Sequence, residues 1–270
     1  MPTETYRFPK LTTGNTVYYV GEGSSAPESL MSTGTVELAA KKLMVALAIS
    51  AELEEDSVLP IVPVIRDDLA KAFALAEENV FINGNTSHTA TATESACATT
   101  DNWFVSDQRL AFNGILNFAC GTSVDAGSGA LSLADISTGI QNLDVFGRDK
   151  SELLLVTSLR EESTLRQLLG INLSLNQLGL TGTALPGEVG KVWGIPVVAT
   201  NLLAVDSDNK SEALLMNRNA AIIGDRRIFN IKSSDEVLLR SDQLLIVASE
   251  RIAFNAQYCN AVVKITNIAA

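Results

Sequence analysis

The sequence contains few side chains that could carry out catalysis. His88 is its single histidine, and it lies in a Thr- and Ala-rich stretch without helical or strand periodicity. Serine and cysteine nucleophiles need a histidine base that is held by a rigid scaffold and an orienting partner. The sequence therefore argues against a catalytic triad or dyad, and the histidine count excludes a histidine-based zinc site.

One acidic cluster, Glu52, Glu54, Glu55 and Asp56, could bind a divalent cation or supply an acid/base pair. These residues follow Ser50 at the start of a short predicted helix, where negative charge interacts favourably with the helix dipole. We therefore expect a structural role, and predict that the protein is not an enzyme and uses no cofactor or metal. The alternative class is a carboxylate enzyme, which would be a monomer or small oligomer with metal-dependent activity.

The glycine-rich segment at residues 21–25 (GEGSS) also has a structural interpretation. It lacks the Lys-Ser/Thr pair of a phosphate-binding loop and the glycine spacing of a dinucleotide-binding loop. We expect Gly21, Glu22 and Gly23 to lie at the mobile tip of a hairpin.

The three cysteines are Cys97, Cys120 and Cys259. Their wide spacing and odd number predict neither a zinc site nor a disulfide framework. We expect buried or incidental thiols, and the alternative is a Cys97–Cys120 disulfide that forms outside the cell.

The chain is acidic, with 20 basic and 31 acidic residues and a formal net charge of −11. This charge disfavours a protein that binds nucleic acid tightly, but it is compatible with a container that surrounds nucleic acid without binding it tightly. Two pairs of cations, Lys41 with Lys42 and Arg226 with Arg227, are candidates for DNA contacts or for inter-subunit salt bridges.

The hydrophobic fraction of 46% is enough for a sizeable core. Residues 1–15 are polar, contain two prolines and show no period, which predicts an extended arm. A β-branched and aromatic strand at residues 16–20, the glycine-rich tip and the apolar run 36–50 predict a projecting hairpin.

Residues 63–83 give the strongest helix prediction. Pro63 suits the first turn, Gly84 follows the last turn, and apolar residues recur every three or four positions. A helix of this length spans about 30 Å.

The rest of the chain divides into three parts by its sequence pattern. Residues 86–111 predict a surface insertion. The next part predicts an α/β layer, in which Ser158 and Glu161 form a capping box for a helix that ends at Gly170. The final 45 or so residues are rich in predicted strands. The predicted elements are a helix at 133–143, and strands at 153–157, 195–199, 213–217, 237–239, 244–249, 252–254 and 262–266.

This order of elements resembles one family, the tailed-phage major capsid proteins of the Hong Kong 97 fold. The resemblance covers nearly the whole chain except the 86–111 insertion. It is carried by residues 41–57 (KKLMVALAISAELEEDS), 77–84 (EENVFING), 112–116 (FNGIL), 191–201 (KVWGIPVVATN) and 249–254 (SERIAF).

The resemblance implies an α+β fold with an N-terminal arm, an extended β-hairpin loop, a long spine helix, a peripheral β-rich domain and an axial α/β domain. It implies inter-subunit contacts at Gly21, Glu22 and Gly23, and at Leu175 and Leu178 in the axial tip loop 170–190. The implied boundaries are 1–16 for the arm, 17–48 for the extended loop, 49–111 and 225–270 for the peripheral domain, and 112–224 for the axial domain.

The implied function is a major capsid protein that forms hexamers and pentamers of an icosahedral or prolate head around double-stranded DNA. The implied partners are a scaffolding protein or prohead protease, a portal protein and a cementing protein. We expect assembly in the bacterial host cytoplasm and a place in the virion, without a membrane step, because no apolar run approaches about 20 residues. The alternative is an encapsulin-like compartment that encloses cargo enzymes.

Two departures from the family pattern matter. Some relatives covalently link an extended-loop lysine to an asparagine, but no lysine occurs here between Leu11 and Ala40, and Asp242 stands where the asparagine would be. We therefore predict a shell without covalent crosslinks. The sequence also begins only a few residues before the predicted fold, so we expect either separate scaffolding or a processed start.

Overall fold

The computed structural model of the chain describes residues 1, 3–56, 61–86, 108–118, 123–167, 188–203 and 210–269. The chain forms two compact units. We call residues 1–50 with 223–257 the hairpin unit, and residues 51–222 with 258–270 the mixed-sheet unit. The strands and helices are β1 (Thr5–Thr13), β2 (Ser32–Ala39), β3 (Lys41–Ser50), α1 (Ala51–Asp56), α2 (Ile61–Asn83), α3 (Ile115–Phe118), β4 (Ser123–Asp125), α4 (Leu133–Asn142), β5 (Leu153–Ser158), α5 (Leu159–Gln167), β6 (Glu188–Val192), β7 (Ile195–Thr200), β8 (Ser211–Asn217), β9 (Ala221–Ser234), β10 (Gln243–Ala256) and β11 (Val262–Ile268).

In the hairpin unit, β1 and β2 form a two-stranded antiparallel sheet. Phe8 pairs with Val36, and Pro9 pairs with Thr35. Proline fits here because a strand with only one neighbour has backbone N–H groups that need no ladder partner. Val36 and Leu38 are buried while Glu37 is exposed, so the alternation of β2 turns one face inward.

The second sheet of the hairpin unit has the strand order β3-β10-β9. Its central strand, β10, buries Ile246, Ala248, Ile252, Phe254 and Ala256, and on the opposite face it also buries Ala253. Side chains at spacing two share one face of a strand, so β10 supplies the apolar layer of this unit.

The mixed-sheet unit is built on a six-stranded sheet of order β4-β11-β8-β5-β7-β6. β5 runs parallel to β7, and β8 lies antiparallel to both β5 and β11. One face packs its core against α4 through Ile136, and α4 begins with a reciprocal capping box between Ser132 and Asp135. A second apolar cluster, which includes Leu214, Met216 and Val262, is packed by side chains from α2 and α3.

The predicted long helix is confirmed as α2, which begins two residues earlier, at Ile61. Leu69, Phe73 and Val80 are buried, so the apolar spacing correctly marked the packed face. Gly84 follows the helix, and its backbone lies against that of Gly114, whose N–H donates to the Gly84 carbonyl at 2.7 Å. A Cβ added at Gly114 would lie 2.5 Å from the Gly84 nitrogen and 2.6 Å from the Ile82 oxygen.

Several sequence predictions are wrong or incomplete. Residues 16–20 are not a strand, and the hairpin partner of β2 is β1, which falls within the predicted irregular arm. Residues 237–239 are a turn rather than a strand, and the predicted strands 244–249 and 252–254 are one strand, β10. β6 and β9 were not predicted.

The helix predicted to start at Ser158 is confirmed as α5, and half of its capping box is present. Ser158 Oγ accepts from the Glu161 backbone N–H at 3.3 Å. The buried Glu161 carboxylate instead accepts from Ser211 Oγ at 2.6 Å and from Arg160 Nε at 3.1 Å. The other predicted helix and strands of this layer are confirmed as α4, β5, β7, β8 and β11, whereas Gly170 and most of the insertion, residues 87–107, lie outside the described residues.

The expectation of three free thiols is also wrong, because Cys259 is disulfide-bonded. Because the chain has three cysteines, one disulfide at Cys259 leaves a single remaining thiol. The alternative prediction, a Cys97–Cys120 disulfide, concerns two residues that lie outside the described residues.

Alkylation of the unreduced, denatured protein should modify one cysteine, and alkylation after reduction should modify all three. The disulfide of Cys259 protects two thiols in the first experiment. Intact-mass spectrometry measures the number of added groups. Three added groups without reduction would show that the disulfide is absent.

Substituting Gly114→Ala should lower the free energy of unfolding of the mixed-sheet unit by about 2–3 kcal/mol, because the new Cβ overlaps backbone atoms that cannot move aside easily. Chemical denaturation monitored by circular dichroism measures the change. Gly14→Ala is the matched control, since its Cβ would meet nothing within 4 Å. Equal stability of the two variants would contradict the close backbone packing.

Candidate assembly surfaces

The hairpin loop, which we define as residues 14–31, connects β1 to β2 and has no regular secondary structure. At its tip the Ser24 N–H donates to the Gly21 carbonyl at 3.1 Å, and Gly23 has φ +82°. A turn of this kind needs glycine at its third position, because a side chain strains a positive φ. Gly21, Glu22 and Gly23 are exposed, as expected for a tip.

The hairpin loop carries a large exposed apolar surface. Val17 is 91% exposed, Leu30 is 87% exposed and Tyr19 is fully exposed. The Thr16 backbone N–H donates to Ser29 Oγ at 2.7 Å, which ties the two halves of the loop together. Contiguous apolar surface of this kind marks sites of protein association.

Strand β3 presents a second apolar surface. Its sequence reads KKLMVALAIS, and Met44 is 53% exposed, with Val45 and Leu47 also exposed. β3 is an edge of its sheet, so its outer backbone groups have no strand neighbour within the three-stranded sheet. An exposed apolar edge strand is a template for association with another chain.

The turn between β9 and β10 adds a smaller exposed patch. Val237 and Leu239 project from it beside the exposed carboxylates Asp235 and Glu236. Asp242 ends this turn in the left-handed region, with φ +49°. The combination of apolar and acidic side chains suits a partly buried protein contact.

The predicted cation pairs lie on the two edge strands of one sheet. Lys41 and Lys42 begin β3, and Arg226 and Arg227 lie in β9. Neighbouring residues of a strand point to opposite faces, so only one cation of each pair can face a given surface. Lys42 stands opposite Arg251 of β10, a cation that the sequence analysis missed and whose Nη2 pairs with Glu4 at 2.9 Å.

The remaining chemistry-bearing residues are structural where the structure describes them. The described residues contain no cluster of three or more His, Cys, Asp or Glu side chains suited to a metal. Hydrogen bonds from the Gly127 backbone and then from the Asn267 side chain lower the pKa of Asp125, and hydrogen bonds from Ser151 lower the pKa of Asp149. Both carboxylates stabilise turns by accepting these hydrogen bonds.

Two of the predicted contact positions, Leu175 and Leu178, lie outside the described residues. The single histidine, His88, also lies outside them. Glu52 is exposed on α1. No helix among the described residues is long and apolar enough to cross a bilayer.

The sequence model of the phage capsid family matches residues 1–105 and 114–267. The chain belongs to the phage capsid family. The match spans both compact units, and it supports a shell protein with a structural rather than an enzymatic role. A search among curated proteins found no match.

Solved structures from phages and from a GTA particle share the fold. A chain from Mycobacterium phage Adephagia is 15% identical, with a TM-score of 0.66 over 98% of this chain and 85% of that chain. A chain from Microbacterium phage Oxtober96 is 16% identical, with a TM-score of 0.65 over 98% and 86%. The capsid of a native GTA particle, computed with C5 symmetry, is 16% identical, with a TM-score of 0.66 over 100% and 86%.

These comparisons agree with the Hong Kong 97 resemblance found in the sequence. The glycine-rich tip was predicted from the sequence, whereas the exposed edge of β3 was not. The signal was present in the unbroken apolar run of residues 43–49, which lacks the alternation expected of a half-buried strand.

Replacing both Tyr18 and Tyr19 by serine should reduce the yield of assembled particles about tenfold or more, because each exposed ring would lose its buried area at the contact. The monomer should remain folded, since exposed side chains contribute little to its stability. Electron microscopy of particles and circular dichroism of subunits measure the two effects. The Tyr18→Phe/Tyr19→Phe variant retains the apolar rings and should assemble normally; full assembly of the serine variant would contradict the role of the loop.

Proposed function

We propose that this capsid protein is the major shell subunit of a tailed-phage head, and that its hexamers and pentamers enclose double-stranded DNA. The single observation that carries the proposal is the family match over nearly the whole chain. It is supported by the fold shared with phage capsids over 98% of the chain. The matches named above do not favour the alternative of a cargo-enclosing compartment.

Shell formation would bury the exposed apolar surfaces of the hairpin unit between copies. Val17 and Tyr19 of the hairpin loop and Met44 of β3 are large apolar side chains exposed in the isolated chain. A closed symmetric shell repeats every contact many times, so modest contacts sum to a stable particle. The apolar hairpin loop of one copy and the apolar strand β3 of another would bury their exposed side chains against each other.

The extended loop is predicted at residues 17–48. We propose that the hairpin it forms also includes β1, because β1 pairs with β2 along its length. The other assignments are 49–111 and 225–270 for the peripheral domain and 112–224 for the axial domain. Leu175 and Leu178 in the axial tip remain proposed ring contacts.

The enclosed DNA would be contacted weakly and without sequence recognition. The chain carries a net charge of −11, so a shell of many copies repels the polyanion except at scattered cations. Arg227 is exposed on β9 and Lys42 is exposed on β3. These are the candidate DNA contacts, with inter-subunit salt bridges as the competing role.

The remaining partners follow from the family. A scaffolding protein or prohead protease, a portal protein and a cementing protein would act during or after assembly in the host cytoplasm. The finished protein would reside in the virion head.

Electron microscopy of the purified protein and of particles from its source tests the proposed function. We expect closed shells with hexamers and pentamers, and nuclease-protected DNA of uniform length in particles from the source. Closed shells that co-purify with an enzyme and lack DNA would instead identify a cargo compartment. Exclusively monomeric protein under all assembly conditions would refute shell formation.

The particles should dissociate into a single 28.7 kDa species on a reducing, denaturing gel. The hairpin loop contains no lysine, Lys41 and Lys42 lie in β3, and Lys10 in β1 donates to the Gln257 carbonyl at 3.0 Å. A lysine-to-asparagine crosslink therefore has no donor at the loop tip. A ladder of covalent oligomers after full reduction would disprove the prediction.

A further inference from the structure

Strand β9 forms one edge of the three-stranded sheet in the hairpin unit, beside β10. In the described part of the chain, no further strand lies beyond β9. An edge strand of 14 residues presents unpaired backbone N–H and C=O groups at every second position. The Met1 amino group donates to the Asp225 carbonyl at 2.5 Å, near the beginning of the strand. Among the described residues this contact leaves the edge from Arg226 onward for a second chain.

β9 is positively charged, although the chain as a whole carries a net charge of −11. It contains Arg226, Arg227 and Lys232, and its one carboxylate is Asp225. No described residue forms an ion pair or a side-chain hydrogen bond with Arg226 or Arg227. The Nη1 atom of Arg226 is buried without a hydrogen-bond partner. Because a buried donor without an acceptor is unfavourable, a carboxylate from another chain would stabilise this guanidinium.

Two carboxylates follow directly after β9. Asp235 and Glu236 are exposed, and no described residue forms an ion pair or a side-chain hydrogen bond with either of them. Residues 226–236 therefore carry an unpaired basic pair at one end and an unpaired acidic pair at the other.

An antiparallel pair of β9 strands from two copies brings these charged pairs together. A two-fold axis perpendicular to the sheet relates the two strands around one central residue. With Ile231 on the axis, Arg227 lies opposite Asp235 of the second copy. Arg226 lies opposite Glu236 in the same register, and symmetry repeats both pairings. Opposite charges directly across an antiparallel pair are stabilising.

The neighbouring registers bring like charges together. A symmetric register has one residue on the axis, so the alternatives move the axis by one residue. An axis at Asn230 places Asp225 opposite Asp235, and an axis at Lys232 places the two copies of Lys232 opposite each other. Like charges in this position are destabilising. Charge therefore selects the register with Ile231 on the axis.

Exposed apolar side chains support the same register. Val237 and Leu239 are exposed in the turn that follows β9, and Ile223 is exposed at its beginning. Position 225 of one copy lies opposite Val237 of the other, so the turn of each copy approaches the beginning of the other copy's β9. Burial of these aliphatic side chains would stabilise the contact together with the ion pairs.

We propose that β9 pairs with β9 of a second copy across a two-fold axis at Ile231, which joins the two sheets into one continuous sheet. The contact rests on the proposed shell function, because it connects two subunits of the particle. It assigns Arg226 and Arg227 to inter-subunit salt bridges rather than to DNA. It also covers an edge strand that is otherwise open to irregular pairing.

Exchange of charges tests the register. Arg227→Asp and Asp235→Arg should each reduce the yield of assembled particles about tenfold or more, because each variant places like charges opposite each other twice. The double variant restores opposite charges and should assemble like the wild-type chain. Lys232→Asp makes the same charge change as Arg227→Asp opposite the uncharged Asn230, and should assemble normally.

Electron microscopy measures particle yield, and circular dichroism shows whether each subunit is folded. Failure of the double variant to recover assembly would overturn the pairing of Arg227 with Asp235. Loss of DNA from Arg227→Asp particles that form in normal yield would instead identify a DNA contact and overturn the salt bridge.

A disulfide at the axis tests the strand pairing directly. Ile231→Cys should form a covalent dimer on oxidation, because directly opposite Cα atoms lie about 4.5–5.5 Å apart, within the range of a disulfide. Asp225→Cys is the matched control, since its two copies would lie about 40 Å apart along the paired strands. A non-reducing denaturing gel of oxidised particles measures the dimer, and the wild-type chain with its own remaining thiol gives the background.

Failure of this pairing is distinguishable from failure of the shell function. Shells without an Ile231→Cys dimer would overturn the pairing and leave the shell function intact. If the wild-type chain forms no shells, oxidation of the concentrated subunit in solution decides: a dimer specific to Ile231→Cys supports the pairing, and its absence overturns it. Equal crosslinking of Ile231→Cys and Asp225→Cys would overturn the register.

Discussion

A two-stranded sheet has too little surface to bury its apolar side chains by itself. The β1–β2 sheet ends in a loop whose large apolar side chains, including Val17 and Leu30, are almost fully exposed. Their burial has to come from outside the hairpin. In the proposed shell, neighbouring copies of the chain would supply that burial.

The mixed-sheet unit, by contrast, buries its apolar side chains within its own core. Its sheet is packed on both faces, and Leu155, Leu215 and Ile265 are completely buried. The close approach of Gly84 to Gly114 fixes the end of α2 against the segment that precedes α3. One part of the chain is therefore stable through its own core, while the other keeps apolar surface available for association.

Local signals in the sequence were sufficient where local physics determines the element. Pro63, the apolar spacing of α2 and Gly84 act within a few turns of one helix, and α2 agrees with the prediction. Strand pairing depends on residues that are distant in the sequence, and the predicted partner of β2 was wrong. Residues 16–20 (TVYYV) have high strand propensity, but β2 pairs with the more polar β1. β9 was missed because its charged residues and Gly224 interrupt the usual pattern, although β10 provides a neighbour that stabilises it.

The same limits apply to the functional surfaces. Sequence alone placed the exposed turn at Gly21, Glu22 and Gly23 correctly, because the positive φ of Gly23 requires glycine. It could not show that consecutive cations in β3 and β9 alternate between the two faces of a sheet, since that depends on the strand assignment. It also could not reveal contacts between distant residues, such as the hydrogen bond that Asn83 donates to the Leu202 carbonyl.

The exposed apolar edge of β3 has a consequence for the free subunit of the proposed shell. Before a chain meets its neighbours, this edge would be open to irregular strand addition. Slow nucleation would thus divert material into amorphous precipitate or filaments. Shell growth would have to be faster than this aggregation. A chaperone that covers β3, or a low cellular concentration of free subunits, would therefore raise the fraction of chains that enter shells.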